Sequence, residues 1–159
     1  MTVNTAKLTG RRTLKFSSLD DIIADVEKLN QSKIRAIGNW SPGQVLEHVT
    51  IVMDYCLDGT PFTSPWYVRV LSFFFKKRFL TKPMPAGFAL PDHAAKHLLP
   101  KETSWEDGLA RFRKAMDRMK TIAERKRSPF LGDLTREEWD MLHCRHCELH
   151  LSFLVPEQA

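Results

Sequence analysis

Five stretches of the chain carry apolar side chains every three or four residues, the spacing of a helix with one buried face. They cover roughly 18–32, 42–57, 65–80, a stretch beginning at 104, and a stretch beginning at 135 and ending before Pro156. No strand pattern is strong along the chain. The sequence therefore predicts an all-α protein, built as a single helical domain over 1–159 with 1–16 as an N-terminal extension.

The third stretch differs from the others because it is apolar nearly all round through Phe75. A helix of this kind is either deeply buried or covered by a partner. Its aromatic density over 66–75 predicts a surface for homodimerisation. The stretch also carries basic residues and is too short to span a bilayer, so no membrane partner is expected.

A long segment over 81–103 separates the third and fourth predicted helices. Prolines and a glycine recur along it, yet it is too apolar for a simple linker. We expect this segment to pack over the bundle as a lid. It also carries His93 and His97 at i, i+4, a second histidine pair that is more typical of surface or loop structure but is the leading alternative source of metal ligands.

Charge, the N-terminal sequence and cysteine content limit the partners, the location and the disulfides that are expected. The net charge is +5, but the basic residues are spread and mixed with acids, which is typical of a solvated surface, so a nucleic-acid partner is not expected. The first ten residues lack the apolar core of a signal peptide, which predicts a cytoplasmic location. Three cysteines provide no disulfide framework, and Cys147, on an apolar helix face, is predicted to act as a small hydrophobic residue.

Three histidines of the fifth helix, His143, His146 and His150, lie within about 60° of one another on its apolar face. Buried imidazoles need partners, and a shared apolar face suggests a metal ion. His146 and His150, at i, i+4, can reach one ion from a single rigid helix. His143 lies two turns, roughly 10 Å, from His150, so one ion would not take all three. It is left as a pocket wall, a proton carrier or a structural residue.

The best third ligand is His48, on the second helix. A capping box at Ser41 and Gln44 starts this helix, and its apolar stripe has His48 and Tyr55 at the edge, with Glu47 on the opposite, solvent-facing side. His48 is therefore expected to face inward. Three protein ligands leave one coordination position open, which is the pattern of a catalytic metal site.

Two motifs carry a family resemblance: WSPGQVLEH at 40–48 and HCELHLSF at 146–153. In this order they resemble the DinB/YfiT-like superfamily, closest to an uncharacterised bacterial branch, and the segments 12–21 and 128–139 support the match. The resemblance implies a four-helix bundle with an additional helix, and a divalent metal, Zn²⁺ or Ni²⁺ before other ions, held by His48, His146 and His150. It assigns no role to His143 or Cys147.

Members of known activity use the metal to activate a small thiol. By resemblance, we expect a metal-dependent enzyme that activates a low-molecular-weight thiol or water for S-transfer or hydrolysis of a small molecule. No catalytic acid or base is evident: Glu47 and Glu148 are predicted to face away from the ligands, and Tyr55 is a pocket or core residue. The alternatives are a non-catalytic protein that binds metal or a small ligand, and a structural module that dimerises.

Overall fold

The computed structural model describes residues 3–87 and 92–157, except the side chains of Arg69 and His93. Helices dominate this part of the chain, and the prediction of an all-α bundle is confirmed. In chain order the elements are a 3₁₀ turn Thr5–Lys7, α1 Leu19–Asn30, β1 Ile34–Ala36, α2 Pro42–Asp58, α3 Trp66–Thr81, α4 Asp92–Leu98, α5 Trp105–Thr121, α6 Arg136–Leu151 and β2 Leu154–Pro156.

Side-chain caps explain where the long helices begin. A capping box starts each of α1, α2 and α6, at Ser18, Ser41 and Thr135. The side chain of the cap accepts a hydrogen bond from the backbone N–H three residues on, and the side chain of that later residue accepts one from the backbone N–H of the cap. Ser104 caps α5 in the same way through its hydroxyl. Such bonds satisfy N–H groups that a helix leaves free at its start. Four of the five predicted helices begin at or next to these residues, whereas α3 begins after Pro65 without a side-chain cap.

Four of the helices, α1, α2, α5 and α6, pack around one hydrophobic core. Each contributes a stripe at helical spacing that is removed from water, as the periodicity predicted. The most deeply buried side chains of the core include Ile22 and Val26 of α1, Val49 and Met53 of α2, Phe112, Met116 and Met119 of α5, and Cys147 and Leu151 of α6. Helix α2 lies along α5 and also contacts α6.

Two short strands were missed by the pattern of the sequence. β1 pairs antiparallel with β2, and Ile34, Arg35 and Ala36 lie opposite Pro156, Val155 and Leu154. Three residues are too few to show the alternation by which a strand is recognised. The pairing matters because Ile37 N–H also donates to the Phe153 carbonyl at 3.0 Å. It thereby fixes the chain leading into α2 beside the end of α6.

The segment 81–103 contains a helix of its own, α4, which places His97 in helical structure. The side chain of His93, the other member of that predicted pair, lies outside the described residues. Helix α4 packs on α2. Ala94 and Leu98 are buried there in a second small cluster with Phe62, against which Tyr55 also packs.

Helix α3 packs on α6 but stays largely open to solvent. Ser72 donates a hydrogen bond to the Phe130 carbonyl, and Lys76 forms an ion pair with Glu138 at 2.7 Å. Within one chain α3 is therefore not deeply buried. Across the described residues, no helix combines the length and apolar character that crossing a membrane requires.

Candidate metal centre

His48 of α2 and His146 and His150 of α6 come together as the sequence predicted. One ring nitrogen from each lies within 4.8 Å of the other two, so the group could hold a metal ion. His48 is buried, with 4% of its surface exposed, whereas His146 and His150 are half-buried. The site therefore has one closed side, formed by α2, and a more accessible side along α6.

The ring of His48 is oriented by a backbone carbonyl. Its Nδ1 lies 2.7 Å from the carbonyl oxygen of Leu98. Because a carbonyl only accepts, Nδ1 must carry the proton and donate it, and Nε2 keeps its lone pair. That Nε2 lies 3.1 Å from Nε2 of His146. Two nitrogens bound to one ion at about 2.0–2.1 Å are about 3.0–3.4 Å apart, so this separation fits a shared ion.

Trp40 forms an aromatic wall beside the histidines. Its ring stacks on His150 with centroids 5.5 Å apart and planes 18° apart, and it tilts over His48 at 4.7 Å. Trp40 directly precedes Ser41, the N-cap of α2, so the same turn that starts the helix places the indole. Trp40 belongs to the motif WSPGQVLEH, but its place beside the histidines was not predicted.

All three imidazoles are held in the neutral form. Burial lowers the pKa of His48 to about 4, and the bond to Leu98 offsets only part of that effect. Burial also lowers the pKa values of His146 and His150 well below the usual range; the closeness of other histidines further disfavours the charged form of each, and Arg11 adds to this effect at His150. Neutral imidazole is the form that binds a metal. Among the described residues, the buried Nδ1 of His146 has no hydrogen-bond partner.

His143 lies outside the group of three. It is fully buried, and its ring stacks on Trp139 with centroids 5.5 Å apart. Burial and the nearby charge of Arg125 lower its pKa to about 3. Neither ring nitrogen has a hydrogen-bond partner within the described part of the chain. A role for His143 in a pocket wall or in proton transfer stays a prediction.

Three other candidate site residues, Tyr55, His97 and Cys147, lie outside the group of His48, His146 and His150. Tyr55 donates its hydroxyl to the His97 carbonyl at 3.1 Å, and the His97 ring stacks on Phe62. Both residues therefore fasten α4 to α2. Cys147 is fully buried, and burial raises its thiol pKa well above the usual range, which supports its interpretation as a small hydrophobic residue.

The end of α4 was not anticipated as part of the site. Its last carbonyls, those of His97 and Leu98, accept hydrogen bonds from Tyr55 and His48 of α2. These are groups that a helix leaves without partners at its end. A backbone carbonyl has no signature in the sequence, so nothing in the pattern of residues could have revealed the partner of His48.

A family model described as a protein of unknown function, DUF1569, matches residues 8–157. The chain belongs to the DUF1569 family. No curated protein and no solved structure matches it. The description of the DUF1569 family names no activity.

The carboxylates on the histidine-bearing helices of the DUF1569 chain are engaged elsewhere. Glu148 accepts from the Phe16 N–H and from Arg145, both at 2.6 Å. Glu47 forms an ion pair with Arg111. The prediction that Glu47 faces solvent is wrong: only 5% of it is exposed, because α5 covers that side of α2. Both carboxylates are bonded to partners other than the histidines, which agrees with the prediction that they face away from the ligands.

Arg11 is a further charged group beside the site that the sequence did not reveal. Its guanidinium lies 4.4 Å above the Phe153 ring and donates to the Ser152 hydroxyl through Nε at 2.9 Å and Nη2 at 2.8 Å. Its charge contributes to lowering the pKa of His150. Arg11 therefore adds to the factors that keep this imidazole neutral.

Proposed function

We propose that this DUF1569 protein binds one divalent transition metal through His48, His146 and His150. We further propose that it is a metal-dependent enzyme of the DinB/YfiT-like type. The observation that supports this best is the meeting of three neutral ring nitrogens from two helices within 4.8 Å. The Leu98 carbonyl, 2.7 Å from Nδ1 of His48, leaves the Nε2 lone pair available for an ion.

The donor set suits Zn²⁺ or Ni²⁺, because imidazole is a good ligand for both. A divalent ion held by three neutral ligands keeps its full charge and lowers the pKa of a thiol or water bound beside it. On this proposal the nucleophile is a low-molecular-weight thiol or water, used for S-transfer to a small electrophile or for hydrolysis. The family resemblance favours the thiol.

The residues of this chain have separable tasks in the proposal. His48 is held in one tautomer by Leu98, so its ring does not need to reorient when an ion binds. Trp40 stacks on one face of His150 and limits the movement of that ring. Tyr55 holds the end of α4 through His97, which keeps Leu98 in place. Tyr55 is thus a positioning residue here.

A second function is favoured by one observation. Glu47 and Glu148 are committed to arginine partners, and neither provides a free acid or base beside the histidines. A protein that binds a metal or a small ligand without turning it over needs no such group. This alternative shares the metal site with the first proposal and differs only in turnover.

The metal site is tested by elemental mass spectrometry of protein purified without a histidine tag, before and after adding Zn²⁺ or Ni²⁺. We expect about one equivalent in the wild type and a loss in His48→Ala and in the double variant His146→Ala/His150→Ala. His143→Leu is the matched control, because it removes a buried histidine of the same helix that lies outside the group, and it should keep its metal. Unchanged metal content in His48→Ala would exclude the three-ligand site.

Turnover is tested separately on metal-loaded protein. Thiol consumption is followed with a small electrophile, and hydrolysis with ester and amide substrates. Activity that requires the added metal and is lost in His48→Ala supports the enzyme, and loss of activity in a His143→Leu protein that keeps its metal would assign His143 to the reaction. One equivalent of metal with a thiol-dependent change in the spectrum of Co²⁺-loaded protein, but no turnover of either kind, supports the binding protein instead.

A further inference from the structure

Helix α3 exposes an unusual amount of apolar surface. Trp66, Phe73 and Phe74 are each about three-quarters exposed, at 75%, 73% and 73%. Tyr67, Val70, Leu71, Phe75 and Phe79 are exposed beside them. Only the side of α3 that carries residues such as Ser72 and Leu80 is buried against the rest of the chain.

The size of this surface argues for a protein partner. An aromatic side chain can bury about 150–250 Å². Scaled by their exposed fractions, the six aromatic side chains alone present roughly 550–900 Å² of this surface. The largest apolar patch of a typical monomer is about 300–600 Å², whereas a standard interface buries about 800 Å² on each partner. The exposed face of α3 is therefore large enough for a stable interface.

Charge is distributed unevenly along α3. The exposed apolar residues occupy mainly the first three turns, which contain one basic residue, Arg69, and the basic residues Lys76, Lys77, Arg78 and Lys82 follow at its C-terminal end. No Asp or Glu occurs from residue 59 to residue 91. Lys76 pairs with Glu138 of α6, but within the described residues Lys77 and Arg78 form no ion pair.

We propose that α3 is the interface of a homodimer in which the two copies of α3 pack antiparallel about a two-fold axis. A parallel arrangement would bring the two basic ends together, and no acid of the segment would offset their repulsion. In the antiparallel arrangement the basic ends are separated. Lys77 and Arg78 of each copy then lie over Trp66 and Tyr67 of the other, where a cation is stabilised by an aromatic face.

Helix geometry is consistent with this pairing. Trp66 and Lys77 are eleven residues apart, about 16 Å along the axis, and only about 20° apart around it. They therefore lie on one side of α3 at opposite ends of the apolar surface. A two-fold axis between them, near Val70 and Phe74, superimposes the basic end of one copy on the aromatic end of the other.

The interface is tested by analytical ultracentrifugation of the full chain over a range of concentrations. We expect a dimer whose dissociation constant rises about 30-fold or more in Phe74→Glu, since burying a charge at the centre of an interface is costly. Ile122→Glu is the matched control, because Ile122 is an exposed apolar residue outside α3, and it should leave the dimer intact. Circular dichroism checks that both variants are folded.

The direction of packing is tested by disulfide cross-linking, for which the three native cysteines are buried and do not compete. A mixture of Trp66→Cys and Lys77→Cys proteins should form mixed dimers faster than Lys77→Cys alone forms its own. Faster self-linking at position 77 would overturn the antiparallel arrangement. A wild type that stays monomeric, including one that binds anionic phosphatidylserine vesicles as a monomer, would overturn the dimer. A dimer unaffected by Phe74→Glu would place the interface elsewhere.

Discussion

Acidification should destabilise the metal-free protein, because its buried histidines are held neutral. Burial lowers the pKa of His143 to about 3 and that of His48 to about 4 in the folded chain. The same groups have a pKa of about 6.5 when the chain is unfolded. Below about pH 6.5 the unfolded chain therefore binds protons that the folded chain does not. The stabilisation is complete above that pH and is lost as the pH falls toward the folded pKa values.

The magnitude follows from the size of the shifts. Each such group lowers the free energy of unfolding by about 1.4 kcal/mol per pH unit once the pH is well below 6.5. At pH 5 this amounts to about 2 kcal/mol for His143 and a similar value for His48. Together they reach about 4 kcal/mol, a large part of the 5–15 kcal/mol that stabilises an ordinary domain. The lowered pKa values of His146 and His150 act in the same direction.

Urea unfolding of chelator-treated protein between pH 8 and pH 5 measures this dependence in the wild type and in His143→Leu. The variant should lose stability less steeply, by about 1.4 kcal/mol per pH unit below pH 6, because one titrating group is gone. Near pH 8 its stability should change by less than about 1 kcal/mol, since it loses the stacking on Trp139 but also two ring nitrogens without partners. Parallel pH profiles would show that His143 is not held neutral by burial.

Two substitutions test the packing of α2 against α5. A Cβ at Gly43 would lie 2.1 Å from the carbonyl oxygen of Thr103, so Gly43→Ala should lower the free energy of unfolding in urea by about 3 kcal/mol. Gly38→Ala is the control: its Cβ would meet only the side chain of Phe153, and the loss should be about 1 kcal/mol or less. Equal costs would contradict this close approach. Arg111→Ala should cost about 1–3 kcal/mol because it leaves the buried carboxylate of Glu47 unpaired. A smaller loss would show that water reaches this carboxylate.

Local features of the sequence were sufficient to predict the long helices and the inward orientation of His48, His146 and His150. Ser41 with Gln44, and Thr135 with Glu138, start α2 and α6 through bonds between residues three apart, which depend on nothing beyond their own segment. The spacing of His146 and His150 likewise placed both on one face of α6. The inward face of His48 followed from the apolar stripe of its helix.

Periodicity specifies which face of a helix is buried, but not what lies against it. The approach of His48 to His146, 3.1 Å between their Nε2 atoms, depends on how α2 packs on α6. Its partner Leu98 comes from a segment fifty residues away in the chain and contributes a backbone carbonyl. Glu47 was expected to face solvent because the sequence of its own helix does not indicate that α5 and Arg111 pack against it.

The two short strands and the exposed face of α3 also depend on tertiary packing that the sequence pattern does not specify. Strand β1 exists because β2 lies beside it, and three residues carry too little pattern to reveal the pairing. The pattern of residues 66–75 predicted an apolar helix, but only the tertiary structure shows that most of its apolar surface is exposed. Propensity, capping and amphipathic spacing act within a few residues and can be read from the sequence. Contacts between distant segments are decided by the packing of the whole bundle.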